Sequence, residues 1–255
     1  MKNRVSITAE FAALIKAKDN PDYLYFVSPK TRYISTIVSF IFSKQFLDKI
    51  FRWRQQLTKE IDSIVERERP NLIVDLGSGY SLRGYTFCRK NLDLVYIDTD
   101  LPDVISNKLQ ILNKINRIKR VENPSNLHLT VLDVLNDDLQ NIISISNSRA
   151  KILILAEGLT SYFSLNQLQI FFDNIYKVLK TFPEAVFYSN EKMKEPGGIL
   201  YKFIRKMLSI FTHSTGHSFD DKYDFMKYIS KWEGLVCEFE DCDSGHLIYK
   251  LKFQK

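Results

Sequence analysis

The sequence predicts an α/β fold: a doubly wound, mostly parallel seven-stranded sheet, closed by an antiparallel C-terminal hairpin and preceded by an N-terminal helical cap. Three observations predict it. From Leu72 onward, apolar runs of strand length alternate with stretches of helical periodicity, as repeated βαβ units require. The first run leads into a glycine-rich turn, Asp75-Leu76-Gly77-Ser78-Gly79-Tyr80. The last two runs, 235–239 and 247–253, leave no room for a helix between them, so they pair as a hairpin.

The elements follow in order. Ile7, Phe11, Leu14 and Ile15 recur at helical spacing, with Ser6 or Thr8 as a cap, until Asn20-Pro21-Asp22 breaks the pattern. Ser28-Pro29 and Thr31 open a second helix that runs to Phe42. A third spans 46–68, with Ile50, Trp53, Leu57, Ile61, Ile64 and Val65 on one face, and Pro70 ends it. These helices precede the first strand, which divides the chain into a cap or lid, residues 1–70, and a sheet domain, residues 71–255. Strand one ends at the glycine turn and a helix starts behind it. Strand two covers 94–98, and a helix follows from Pro102 to Arg120. Strand three covers 127–132, with a short helix from about Asp137. Strand four is the run at 151–156. Leu168, Phe171, Phe172, Ile175, Val178 and Leu179 stripe a helix over 165–180. Strand five covers 185–188, and a further helix is expected over 196–211.

Composition narrows the function classes. The chain has 255 residues, 45% hydrophobic and 26% charged, with a net charge of +6. That is ordinary globular composition, and the basic residues are spread rather than clustered, so no nucleic-acid partner is expected. The cysteines, Cys88, Cys237 and Cys242, lack metal-ligand spacing, so no metal is expected and reduced thiols in the cytoplasm are. The N-terminus has no apolar signal core, and the apolar stretch at 33–42 is too short to span a bilayer.

The glycine turn points to a cofactor. Two glycines permit positive φ and close approach of backbone to ligand, and the helix behind them presents unpaired N–H groups. The dinucleotide fingerprint is not met: Leu82 stands where the third glycine belongs, and Gly84 comes two residues late. A cofactor without a pyrophosphate suits this turn better, and S-adenosylmethionine is such a cofactor. Ligands in these sheets sit beyond the carboxyl ends of the strands. Those ends carry Gly77-Ser78-Gly79, then Asp98-Thr99-Asp100, then Asp133, then Glu157. An acid about 20 residues past the turn suits ribose hydroxyls, Asp133 suits an adenine amino group, and Glu157 suits the cationic amino or sulfonium end.

At these positions the chain resembles the superfamily of leucine carboxyl methyltransferases and polyketide-synthesis O-methyltransferases, class I S-adenosylmethionine-dependent enzymes with a Rossmann-like fold. The resemblance runs from Ser6-Ile7-Thr8-Ala9-Glu10 to Tyr162. The family's G-A-G-L-D-T-R turn is matched by Gly77-Ser78-Gly79-Tyr80-Ser81-Leu82-Arg83. Its acidic strand end with D-L-P and a downstream Lys is matched by Asp98-Thr99-Asp100-Leu101-Pro102 and Lys108. Its Asp after strand three is matched by Asp133, and its E-G with a following Tyr by Glu157-Gly158 and Tyr162. The resemblance implies that Gly77, Ser78 and Gly79 pass the methionine part and that Asp100 holds the ribose, with Asp98 as fallback. Asp133 and the backbone of Val134 meet the adenine, and Glu157 lies near the methionine end. It further implies an arginine before strand one for the methionine carboxylate, Arg54 by spacing with Arg52 close behind. Ser81 and Leu82 depart from the family's Asp and Thr, and nothing after Ser189 matches.

The chemistry implied is methyl transfer to a carboxylate or hydroxyl oxygen, leaving S-adenosylhomocysteine. A carboxylate acceptor needs no base, whereas a phenol, with a pKa of about 10, benefits from one. His213 and His217 form a close pair, but no catalytic base is assigned. The expected acceptor is a small molecule, polyketide-like or carrier-bound. The alternatives are a protein C-terminal carboxyl methyltransferase, or a non-catalytic scaffold docking a membrane or partner through the basic amphipathic stretch 197–208.

Overall fold

The computed structural model describes residues 5–41, 43–143, 151–191, 216–240, 242 and 247–254. The elements run α1 (Val5–Lys16), a 3-10 turn (Pro21–Phe26), α2 (Pro29–Ile41), α3 (Lys44–Glu68), β1 (Leu72–Leu76), α4 (Arg83–Lys90), β2 (Val95–Asp100) and α5 (Pro102–Lys119). They continue with β3 (Leu127–Val131), α6 (Leu139–Ile143), β4 (Ile152–Ala156), a second 3-10 turn (Thr160–Tyr162), α7 (Leu165–Thr181), β5 (Ala185–Glu191), α8 (Lys222–Ile229), β6 (Leu235–Glu240) and β7 (Leu247–Phe253). The helix expected over 196–211 and the stretch 197–208 lie outside the described residues.

The strands form one seven-stranded sheet in the order β3-β2-β1-β4-β5-β7-β6. The first five are parallel, and β7 pairs antiparallel with both β5 and β6. All five residues of β1 and all five of β4 are buried, which is why β4 reads as an unbroken apolar run and β1 as an apolar run broken by Asp75 rather than as alternating patterns. The chain winds outward from β1 through β2 to β3 and then returns to place β4 on the other side of β1. The ends of β1 and β4 therefore flank the topological switch point, where doubly wound sheets take their ligands.

Two strands outrun the sequence reading by two residues or more. β2 continues through Thr99 to Asp100, because Asp98 is fully buried and its charge faces Lys108 of α5, Nζ to Oδ2 2.7 Å. An acid with an internal counter-ion does not end a strand. β5 runs on to Glu191 because β7 pairs with it over six positions. Helix α8 was not read in the sequence; its signal is Asp221, whose side chain accepts from the backbone N–H groups of Tyr223 and Asp224. Helix α7 matches the reading, with a Ser164/Gln167 capping box and the six expected residues buried.

Helix α3 lays Leu57, Ile61, Ile64 and Val65 on the sheet face made by Ile73, Tyr96, Leu153, Leu155 and Tyr188. Its last residue fastens it at the amino ends of the strands. Glu68 accepts from Tyr188 Oη at 2.6 Å and Lys250 Nζ at 3.0 Å, and pairs with Lys151 Nζ at 3.1 Å. Burial opposes the Glu68 charge, but the bonds from Tyr188, Lys250 and Lys151 outweigh it and bring its pKa down from 4.5 to about 2. A depressed carboxyl contributes stability that is present above the unfolded pKa and lost as pH falls through the folded one. Glu68→Gln is therefore expected to cost about 1–3 kcal/mol at neutral pH, with the gap to the parent closing between pH 4.5 and 2. Urea unfolding across that range checks it.

Candidate functional site

Immediately after β1 the chain turns through Gly77 (φ 65°) and Gly79 (φ 53°), left-handed geometry that disfavours any side chain. A Cβ at Gly77 would stand 2.9 Å from Leu159 Cδ1. The turn is fastened to the end of β2. The Ser78 N–H donates to the Thr99 carbonyl at 2.9 Å. Asp100 Oδ2 accepts from the Gly79 N–H and Oδ1 from the Leu101 N–H, each at 2.8 Å. Burial pushes the Asp100 carboxyl up, against those two backbone bonds, which hold it down. Asp98 points inward instead: Lys108, paired with it, also donates to Ser78 Oγ at 3.2 Å. Of the two acids near the end of β2, only Asp100 lies against the turn.

The missing third glycine is supplied out of register. A Cβ at Gly84 would lie 2.7 Å from Tyr96 Cδ1 and 2.9 Å from Leu127 Cδ1, so Gly84 lets α4 pack closely on β2, the role a third glycine has in the dinucleotide fingerprint. The late glycine therefore does not itself decide against a pyrophosphate, and the choice of cofactor rests on the acids and arginines around the turn.

A second cluster gathers at the end of β4. Arg83, the first residue of α4, has a side chain 2% exposed and reaches three carboxylates. Its Nε donates to Asp62 Oδ1 at 2.6 Å, Nη1 lies 3.5 Å from Asp75 Oδ2, and Nη2 donates to Glu157 Oε2 at 2.5 Å. Lys16 of α1 stands 3.4 Å from the other Glu157 oxygen. Burial opposes the Glu157 charge, but the Lys16 and Arg83 cations overcome it and hold its carboxyl well below the usual range. Burial drives Asp75 the other way, upward, against the pull of Arg83. Arg54 faces the same strand end, its Nη1 3.6 Å from where a Gly158 Cβ would sit, and its charge also acts on Glu157. Arg52 is exposed and bonds back to the Asp48 carbonyl of its own helix at 3.3 Å. The structure thus separates two arginines that spacing alone left close.

Asp133 and Val134 lie beyond β3, next to the end of β2. The Asp133 carboxylate accepts from the Leu135 N–H at 3.0 Å and Asn136 Nδ2 at 2.8 Å, and the Val134 carbonyl accepts from Asn174 at 3.2 Å. So Gly77, Ser78, Gly79 and Asp100 form one turn, Arg54 and Glu157 meet beside it, and Asp133 and Val134 form a separate corner. The sequence reading places Asp75 and Arg83 in the turn motif without a role for either, and does not find Lys16 or Asp62. One signal for Arg83 was available: a cation at a helix N-terminus opposes the helix dipole and calls for carboxylates nearby. His217 donates its backbone N–H to Phe163 at 2.7 Å and sets its ring edge-on to Phe219; His213 lies outside the described residues. No group of potential metal ligands occurs among the described residues.

The N-terminal helices cover this mouth. Ala9 Cβ lies 3.6 Å from the position of a Gly79 Cβ, Tyr23 Oη accepts from the Leu82 N–H at 2.9 Å, and Phe26 stacks on Tyr80 at 5.1 Å. Ala13, Tyr23, Phe26 and Val27 share one apolar cluster with Tyr80, Leu82 and α5 residues.

No family model and no curated protein matches the chain. Solved structures do. Human N-acetylserotonin methyltransferase in complex with SAM superimposes with a TM-score of 0.51 at 14% identity, over 81% of this chain and 57% of that one. The S-adenosylmethionine-dependent methyltransferase SibL, in its apo form, gives 0.52 at 14% identity, over 80% of this chain and 56% of that one. The methyltransferase domain of bacterial CtHen1-C gives 0.53 at 14% identity, over 80% of this chain and 100% of that one. The chain thus spans little more than half the length of the first two. At these identities the likeness is one of fold, and the fold is that of class I S-adenosylmethionine-dependent methyltransferases.

Proposed function

We propose that the chain is an S-adenosylmethionine-dependent O-methyltransferase acting on a small-molecule acceptor, akin to the leucine carboxyl and polyketide-synthesis methyltransferases it resembles in sequence. The observation that carries the reading is the pairing, across the switch point, of a glycine turn tied to Asp100 with an ionised Glu157 facing Arg54 and Lys16.

The donor set fits the cofactor's chemistry. Asp100 uses one bond on each oxygen, which leaves lone pairs for ribose hydroxyls. Glu157 is anionic at neutral pH, and Oε1, which Lys16 approaches to 3.4 Å, is the oxygen for an ammonium group. Arg54 offers a guanidinium fork to the carboxylate of the same amino-acid end. Asp133 and the Val134 backbone, at the neighbouring corner, serve the adenine. The bound cofactor supplies an electrophilic methyl group. The protein's share is to hold the acceptor in line with it and to exclude water, for which α1 and the Phe26–Tyr80 stack over the turn provide a lid. A carboxylate acceptor is already ionised, so no base is assigned. Three free thiols, Cys88, Cys237 and Cys242, suit a reducing, cytoplasmic compartment.

Calorimetric titration with S-adenosylmethionine, S-adenosylhomocysteine and NAD tests the reading. Micromolar binding of both adenosyl compounds and none of NAD is expected; no binding of either sinks it. Asp100→Ala is expected to weaken S-adenosylmethionine binding by about 1–3 kcal/mol, through lost charge-assisted bonds and a loosened turn. Parent-like affinity in that variant would remove Asp100 from the site.

A further inference from the structure

Helix α2 turns an apolar stripe to solvent. Lys30, Tyr33, Ile37 and Phe40 follow one another at spacings of three and four along one face, and Tyr33, Ile37 and Phe40 are 69%, 42% and 86% exposed. Leu24 and Tyr25, just before the helix, are each 40% exposed. The helix cannot roll this stripe inward, because its opposite side is pinned to α1. One oxygen of Glu10 accepts from the Ser28 N–H at 2.9 Å and from the Ser28 and Thr31 hydroxyls at 2.6 Å each, and Thr31 is buried.

Charge decides what covers the stripe. From Tyr23 through Leu47 there is no Asp or Glu, while Lys30, Arg32 and Lys44 are present and exposed. Lysines thus bracket the stripe at both ends. Beside Leu24 and Tyr25 opens a cleft of about 540 Å³ lined by Arg32 and Lys114, with Lys114 Nζ 5.5 Å from the Tyr25 ring. Its one acid, Asp22, is taken by Lys119. A second copy of the chain laid against this face would bring Lys30, Arg32 and Lys44 against themselves. An aromatic, acid-free helix face with cations at its margins suits the interface of an anionic bilayer.

We propose that the α2 face docks the protein onto anionic lipid surfaces, with Tyr33, Ile37 and Phe40 entering the acyl boundary and Lys30, Arg32, Lys44 and Lys114 meeting the headgroups. No described helix is long and apolar enough to cross a membrane, so the contact is peripheral. It does not depend on the methyl-transfer reading.

Flotation of the full chain with phosphatidylcholine vesicles, with and without phosphatidylserine, is the test. Binding to the serine-containing vesicles is expected, falling as salt is raised. Phe40→Ser and Tyr33→Ser, both at exposed positions, are each expected to weaken partitioning about tenfold, as losing a large apolar anchor should, with melting temperature and S-adenosylmethionine titration unchanged. Absence of binding overturns the proposal, as does parent-like partitioning of both variants. So does a dimer in sedimentation that Phe40→Ser dissolves, which would make a second copy the occupant, or Phe40-dependent binding seen only with an acidic protein.

Discussion

Arg83→Ala is expected to destabilise the protein more than any substitution of an exposed residue, by about 3–5 kcal/mol, because it leaves buried carboxylates without their cation. The arginine side chain is 2% exposed, and so is that of Asp75; Glu157 is 14% exposed. At roughly 2–4 °C per kcal/mol for a chain of this size, the melting temperature should fall by about 10 °C. Arg83→Lys should recover little, since an ammonium cannot serve three carboxylates that a planar fork meets from three sides. The loss depends on pH with a definite sign. In the parent, Glu157 has its carboxyl held below 4.5, so its contribution is present above that value and lost as pH falls through the folded pKa. Asp75 is raised above 3.8, so its ionisation costs stability as pH rises through its folded pKa, and without Arg83 it rises further. Both effects make the gap between parent and variant widest at neutral pH and narrowest in acid. Urea unfolding of the two proteins from pH 4 to pH 8 checks it; a pH-independent gap would mean that Arg83 acts through packing alone.

The sheet was legible because strands buried on both faces must be written as apolar runs. Ile152-Leu153-Ile154-Leu155 is too short for a helix and rich in β-branched residues, and the few residues between the last two apolar runs leave no room in the sequence for a helix. The glycines of the turn were legible for a similar reason, since positive φ at 77 and 79 leaves glycine as the favoured residue. What was hidden is pairing. Whether Asp98 or Asp100 faces the turn depends on Lys108, and whether Arg52 or Arg54 reaches the strand end depends on the rotation of α3, which the apolar stripe Leu57, Ile61, Ile64 and Val65 sets from the far end of the helix. Arg83 gathers Asp62, Asp75 and Glu157, of which Glu157 lies 74 positions away in the chain. No local pattern encodes such a contact; only the crossover from β3 back to β4 brings it about. The role of Gly84 was hidden by register, because its use is visible only once Tyr96 and Leu127 lie beneath α4.

Lys108 offers the sharper test of how the turn is held. Its side chain is 1% exposed and that of Asp98 0%, at 2.7 Å, and Lys108 also holds Ser78 Oγ at 3.2 Å. Lys108→Met removes one charge of a buried pair and leaves the other, which should cost about 3–5 kcal/mol. The double variant Lys108→Met with Asp98→Asn removes both charges, and buried pairs replaced together are often close to neutral. The double variant is therefore expected to be more stable than Lys108→Met by urea unfolding, a non-additivity that neighbouring charges produce and independent sites do not. The two effects of Lys108 then come apart. If the pair only offsets charge, the double variant should bind S-adenosylmethionine as the parent does. If the bond to Ser78 also shapes the turn, the double variant should fold well yet bind more weakly, because Gly77 and Gly79 flank the serine that has lost its anchor. Measuring stability and binding on the same three proteins distinguishes a buried ion pair that merely balances itself from one that also shapes the glycine turn.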